Sequence, residues 1–320
     1  MELFSYFTSI SQAMLQIFFL GLIGFVLVRR KVLTEEGLSG LTNLFIVIVF
    51  PSLIFWQIVT KFKFELYPQW WMFPILSLMI TAVGLLVGYL CSSNLKDAHM
   101  RREFICLTGF QNSGYLPLVL LRWIVPEKHL STILIYLFLF LLSFNLVIWS
   151  WGVYFLSART SRRFSLGSVF SPPVVAMLAG FSFVALKINA CIPQYILSPI
   201  EMLGNCSFPL AIVVVGATLA NGYTPKQLEK ENILRLILAK LLVLPLLGLV
   251  FLNYIKLPYL IGLLIMLELA VPSATNLAII ARKYSTQERL ISQGIFFTHI
   301  VSLVTLPLFL AGFNFIVMRR

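Results

Sequence analysis

Charge is scarce in this chain. Asp, Glu, Lys and Arg make up 11% of its 320 residues, against about 25% in an ordinary soluble domain. No polar stretch is long enough to fold as a soluble domain on its own. Asp97 is the sole aspartate, and the three histidines (His99, His129, His299) are dispersed. Without HExxH, paired aspartates or a serine matched to a histidine, the sequence lacks the constellations an intramembrane enzyme needs. Cys91, Cys106, Cys191 and Cys206 are scattered and have no CxxC spacing. That excludes a disulfide framework and a thiolate metal site, leaving the cysteines as small hydrophobes. Nothing calls for a metal or a cofactor. The net charge of +12 comes with no basic stripe interleaved with aromatics, so it does not point to nucleic acid.

What is abundant is apolar: 59% of the residues are hydrophobic. About 20 consecutive apolar residues cross a bilayer. Ten stretches qualify, at 7–28, 39–60, 69–92, 103–123, 130–155, 169–187, 196–220, 236–254, 258–281 and 290–315. The sixth is the weakest, being short and opened by Pro172 and Pro173. The first is followed, not preceded, by its positive charge (Arg29, Arg30, Lys31), the reverse of a secretory signal. The lipid bilayer is therefore the expected partner of most of the surface. Trp70, Trp71, Trp123, Trp149 and Trp151 fall near span ends, as an interfacial belt requires.

Basic residues orient the spans. Fifteen lie in the loops after spans 1, 3, 5, 7 and 9, three in each. Eight lie in the opposite loops, adjoining span ends and tails, and Lys240 lies within a span. The positive-inside rule puts the odd loops in the cytoplasm and both termini outside, in a plasma or inner membrane.

Two spans break in the middle. Span 4 reads Gly109-Phe110-Gln111-Asn112-Ser113-Gly114-Tyr115-Leu116-Pro117, and span 9 reads Glu268-Leu269-Ala270-Val271-Pro272-Ser273-Ala274-Thr275-Asn276. Proline, small residues and amides there free backbone groups that lipid cannot satisfy, so protein or a watery cavity must surround them. Pro51 in span 2 likewise matches Pro209 in span 7. Five spans per half is an odd number, so two like halves insert in opposite senses. The expected layout is residues 1–155, a short cytoplasmic connection at 156–168, and an inverted second repeat at 169–320. Paired breaks at corresponding positions of two halves mark a transporter's binding site.

Half-helix N-termini at such breaks suit a carboxylate. Asn112 and Asn276 are the leading candidates to orient it, or else they satisfy the broken backbone. Gln111, Ser113, Ser273 and Thr275 rank behind them. Gly109, Gly114, Pro117 and Pro272 read as structural to the break, and Pro51 and Pro209 as bends facing it. Lys240 and Glu268 are the intramembrane charges. They serve either structure, as an ion pair or a lysine bound to the free carbonyl end of a half-helix, or proton coupling. Arg122 reads as a snorkelling residue.

The Asn-x-Gly-x-Leu-Pro-Leu pattern at Asn112–Leu118 resembles the auxin efflux carrier family. So do Phe-Pro-x-Leu-Ile-Phe at Phe50–Phe55, Lys-x4-Pro at Lys240–Pro245, and Pro272 with Asn276. The likeness covers essentially the whole chain. It implies an all-α integral membrane fold similar to bile acid symporters and sodium/proton antiporters: ten transmembrane helices as two inverted five-helix repeats, with broken helices 4 and 9 crossing near the midplane. It further implies a scaffold domain of helices 1, 2, 6 and 7, a transport domain of helices 3–5 and 8–10, and elevator-like movement. A homodimer through the scaffold is a family-level expectation. The short connection between spans 5 and 6 resembles the compact prokaryotic form rather than the plant proteins with their long loop. The function expected is secondary transport of a small organic anion, such as a carboxylate or an indole acid. A sodium-coupled carrier of bile-acid type is the rival, and a membrane receptor or structural protein the reading from another class.

Overall fold

A computed structural model describes residues 2–156, 170–222, 228–284 and 289–318. The connection expected at 156–168, apart from Leu156, lies outside the described residues, as do Arg159, Arg162, Arg163 and Lys226 of the basic loops. The described residues are mostly helical. In order the helices are α1 (Glu2–Arg29), α2 (Glu35–Leu44), α3 (Phe50–Lys61), α4 (Met72–Cys91), α5 (Ala98–Gly109), α6 (Tyr115–Ile124), α7 (Glu127–Val147) and α8 (Val153–Leu156). The second half has α9 (Pro172–Ala185), α10 (Gln194–Asn205), α11 (Ser207–Gly222), α12 (Lys230–Leu238), α13 (Leu244–Tyr254), α14 (Tyr259–Ala270), α15 (Asn276–Tyr284) and α16 (Arg289–Met318).

Among the described residues, seven helical stretches are long and apolar enough to cross a membrane, and three shorter apolar helices are α6, α9 and α14. The expected spans 4 and 9 are thus split: α5 with α6, and α14 with α15. The expected span 6 is α9, whose 14 residues cover only about 21 Å at 1.5 Å per residue.

Proline shapes the continuous spans differently. Pro51 follows a π-helical turn at Phe45–Val49, and Pro245 follows another at Ala239–Val243. A proline removes one N–H and crowds the carbonyl four residues earlier. The widened turn takes up that carbonyl without breaking the helix. Pro209 instead lies in the first turn of α11, just after a turn at Cys206, where an N–H is unneeded. The bends expected at Pro51 and Pro209 are therefore built by different means.

Small residues set the distances between helices. Gly84 and Gly88 on α4 let α5 approach until an added Cβ would stand 3.0 Å from Gly109 Cα and 3.0 Å from Ile105 Cα. Gly248 on α13 receives Leu269 of α14 in the same manner. On the far side, α1 lies against α11 through Gly21, Gly24 and Gly216. The central elements are α6, α7 and α14. Leu118, Leu120, Leu121, Leu134, Leu137 and Phe138 have no exposed surface, and neither do Leu264 and Leu267. Tryptophans Trp70, Trp71, Trp123 and Trp151 are exposed at helix ends.

The contact between α1 and α11 yields a test. A Cβ at Gly216 would collide with the Gly21 carbonyl, and overpacking of this kind costs about 1–3 kcal/mol. Gly216→Ala should lower the detergent-solubilised melting temperature by several degrees, whereas Gly40→Ala, with open space around it, should not. Equal melting temperatures for wild type and Gly216→Ala would show that α1 and α11 do not meet there.

Candidate functional site

The two breaks lie against each other. Gln111 and Ser273 form an isolated antiparallel β-bridge. The Asn112 N–H donates to the Pro272 carbonyl (2.8 Å), and the Ala274 N–H donates to the Phe110 carbonyl (3.0 Å). Each broken helix thus satisfies the other's backbone, which explains how two unwound segments persist in a low-dielectric interior. The Ser273 hydroxyl donates to the Leu107 carbonyl (2.7 Å), and the Ser273 N–H donates to Thr298 Oγ1 (3.3 Å). Ser273 is consumed in holding α5, the second break and α16 together, so it is a brace and not a free ligand donor.

Asn112 is held too. Its Oδ1 accepts from the Tyr115 N–H (3.4 Å) at the first residue of α6, and its Nδ2 lies 2.9 Å from His299 Nε2. His299 Nδ1 lies 2.8 Å from the Ile295 carbonyl, which can only accept, so Nδ1 carries the hydrogen and Nε2 accepts from Asn112. The second amide hydrogen of Asn112 remains for other partners. His299 was legible in the sequence only as a lone intramembrane histidine. Nothing in its spacing placed it against the break.

Lys240 is 1% exposed, and its ammonium donates to the Thr108 carbonyl at 3.0 Å. That carbonyl lies in the last turn of α5, where intrahelical partners run out. Of the two structural roles expected, the lysine therefore fills the second: it binds the carbonyl end of a half-helix and forms no ion pair with Glu268. Glu268, with no exposed surface, stands in the last turn of α14, facing Ser113 and Gln111, with the charge of Lys240 acting on it. Both Glu268 oxygens, Ser113 Oγ and Gln111 Nε2 lack a hydrogen bond of good geometry.

Beside the crossing is a cavity of about 80 Å³. Gln111, Asn112, Ser113, Gly114, Tyr115, Thr275 and Asn276 line it from the breaks, Phe45, Ile46 and Phe50 from span 2, and Phe144, Asn145 and Trp149 from span 5. Phe45 stacks on both Phe50 (5.4 Å between centroids) and Tyr115 (5.1 Å). Ile46, Tyr115, Trp149, Thr275 and Asn276 also line a wider, neighbouring cavity of about 520 Å³, rimmed by Glu35, Ser39 and Ile279. Asn276 Oδ1 is buried without a partner. The breaks supply most of the polar lining, with Asn145 and Ser171 added, and the neighbouring spans an aromatic wall. Gly109, Pro117, Pro272, Pro51 and Pro209 do not line this cavity, and Gly114 does.

Arg122 is paired with Glu127 and lies over the Phe208 ring at 6.0 Å. It is anchored at the protein surface, apart from the crossing cavity.

The Lys240 contact can be tested by a double-mutant cycle. Lys240→Met orphans the Thr108 carbonyl, at about 1–3 kcal/mol, and leaves Glu268 without the opposite charge that acts on it. Glu268→Gln added to Lys240→Met should therefore destabilise less than the two single changes summed, by about 0.5–3 kcal/mol. Strict additivity in thermal unfolding would mean that the two groups do not act on each other.

A family model described as membrane transport protein matches residues 9–310. Protein PIN-LIKES 1 of Arabidopsis thaliana is 21% identical over 383 aligned residues, covering 99% of this chain and 81% of that protein. With nearly the whole chain matched, this protein belongs to the membrane transport protein family of auxin efflux carrier type, and is a multi-pass membrane transporter and not an enzyme.

Proposed function

We propose that this protein is a secondary transporter of a small organic anion with an aromatic or apolar body, bound in the cavity beside the two breaks. The observation that carries the reading is the composition of that cavity. Its polar lining is amide and hydroxyl: Gln111, Asn112, Ser113, Thr275 and Asn276 at the N-terminal ends of α6 and α15, with Asn145 of α7 and Ser171 just before α9, while its wall is Phe45, Phe50, Tyr115, Phe144 and Trp149. Helix N-termini and amide donors favour negative charge, and aromatic faces favour an apolar ring. No acidic side chain lines this inner cavity.

The ten-span, inverted-repeat arrangement is part of the same proposal, with residues 1–155 and 169–320 as repeats. Two likenesses between the halves support it: the paired breaks, and the glycines that seat α5 on α4 and α14 on α13. Elevator movement of spans 3–5 and 8–10 against spans 1, 2, 6 and 7 is supported by how the groups are joined. The brace residues Ser273, Thr298, His299 and Lys240 bind within the first group. Ser207 binds the Val49 carbonyl within the second. Contacts such as Phe45 on Tyr115 and Phe50 on Phe138 between the groups are aromatic, and such surfaces slide without leaving polar atoms unpaired. The wider cavity opens among Glu35 and Ser39, beside the loop carrying Arg30 and Lys31. By the positive-inside rule that face is cytoplasmic, both termini are external, and the conformation is inward-open in a plasma or inner membrane.

The test is binding to the purified protein. An aromatic carboxylate such as indole-3-acetate, in sodium-free buffer, should raise the melting temperature, and its neutral amide should not. At about 100 times Kd the stabilisation amounts to about 2.7 kcal/mol. Asn276→Ala and Trp149→Ala should weaken binding about tenfold or more. Stabilisation by sodium alone would favour the sodium-coupled reading. Equal binding of acid and amide would overturn the anion assignment.

A further inference from the structure

Four buried polar atoms face one another next to the anion cavity without good hydrogen bonds: both oxygens of Glu268, Ser113 Oγ and Gln111 Nε2. Ser113 and Gln111 also line the cavity itself. Each of these side chains therefore stands between two possible acceptors, the Glu268 carboxyl behind it and a bound carboxylate in front. From this we infer that Glu268 is a proton site coupled to the substrate anion, and that one proton is bound with each carboxylate. The inference rests on the anion site proposed above and names its coupling ion.

The coupling follows from donor supply. Ser113 has one hydroxyl hydrogen and Gln111 Nε2 has two. When Glu268 is ionised, it draws these donors to itself, and its charge repels a second carboxylate across a single layer of side chains. Once Glu268 is protonated, the repulsion is gone and the hydroxyl and amide turn to the cavity. Proton and anion thus stabilise each other's binding, and by linkage each raises the affinity for the other equally. The proton enters from the solution on whichever side the cavity is open, and leaves when the anion leaves. A monovalent carboxylate carried with one proton moves no net charge.

The other charged and titratable groups around Glu268 do not supply this function. Lys240, on the π turn packed against α14, acts on Glu268 through its charge but is committed to the Thr108 carbonyl. His299, on α16, is bonded to Asn112 and to the Ile295 carbonyl. Tyr259, on α14 itself, is bonded to Asn314. On α7, Tyr136 stacks on Phe73, and Glu127, Lys128 and His129 are exposed at the helix start. The remaining contacts of α14, with α4 and α13, bring no charged side chain. A sodium ion fits the four atoms less well than a proton: Gln111 presents a donor nitrogen, and the ammonium of Lys240 already supplies positive charge.

The experiment measures protons directly. Indole-3-acetate, fully ionised at pH 7 and above, is mixed with detergent-solubilised protein in weak buffer at pH 7, 8 and 9, and the pH change is followed with an indicator dye. Wild type should take up close to one proton per anion bound at a pH where Glu268 is ionised in the free protein. Over that range Kd should rise about tenfold per pH unit. Glu268→Gln should bind the anion with a Kd independent of pH and take up no proton. Ser113→Ala should weaken binding while keeping proton uptake. Anion binding by wild type with no proton uptake and a pH-independent Kd at all three values would overturn the coupling and leave the anion site intact. Uptake that persists in Glu268→Gln would overturn the assignment to Glu268. Absence of anion binding by folded wild type would instead overturn the site on which the inference rests.

Discussion

The structure depends on two backbone hydrogen bonds, Asn112 to Pro272 and Phe110 to Ala274. A membrane interior tolerates an unwound segment only if its peptide groups find partners, and each missing partner costs several kcal/mol. Here the solution is mutual. Neither break is fully satisfied by its own helix, so each span depends on the other for this form. That dependence fixes the two helices at one point, and from it follows the position of everything polar in the core. Thr298 and His299 on α16 and Lys240 on span 8 then act as outer braces on the same junction.

Counting donors and acceptors at the junction separates brace from site more sharply than residue type does. Ser273 and the Oδ1 end of Asn112 are spent on backbone groups, and Lys240 on the Thr108 carbonyl. Gln111, Ser113, Glu268 and Asn276 retain polar atoms that the protein does not satisfy. The serines of the two breaks therefore divide: Ser273 is engaged with Leu107 and Thr298, while Ser113 Oγ lacks a partner of good geometry and Ser113 lines the cavity. A pocket assembled this way can recognise an anion without a fixed cation in its wall, because the amides and hydroxyls were never fully used in building it.

Much of this was legible in the sequence, and for a definite reason. Proline and amide residues are conspicuous inside an apolar run, so the breaks at Asn112 and Pro272 stood out, as did Lys240 and Glu268. The shortness of α9 was visible from Pro172 and Pro173. What a single sequence cannot carry is partnership between distant segments. His299 is 187 residues from Asn112, and a lone histidine in an apolar helix signals nothing about what lies opposite. Phe45 and Phe144 are equally hidden among many aromatics, and Trp149, expected in the interfacial belt, lines the cavity instead, since apolar periodicity does not distinguish a side chain facing lipid from one facing a cavity. The choice between the two structural roles open to Lys240 turned on a single distance. The bend before Pro51 was announced by its proline, although its π form was not, and the π turn before Pro245 was not foreseen.

The same division bears on how the proposed movement and the proposed proton site fit together. Every brace of the junction lies on spans 3–5 and 8–10, so the junction would travel as one body, and Glu268 with it. A proton site carried on the moving body is exposed to each solution in turn through the same cavity as the anion. It therefore needs no separate proton wire to either surface. The aromatic wall formed by Phe45 and Phe50 belongs to span 2 and would stay behind, so the anion's ring would lose those contacts as the site moves. Affinity would then be highest where the wall and the junction meet and lower once they part, which favours release. Loss of the ring contact at one end of the path would speed release there, while the direction of net transport stays set by the gradients of the anion and the proton.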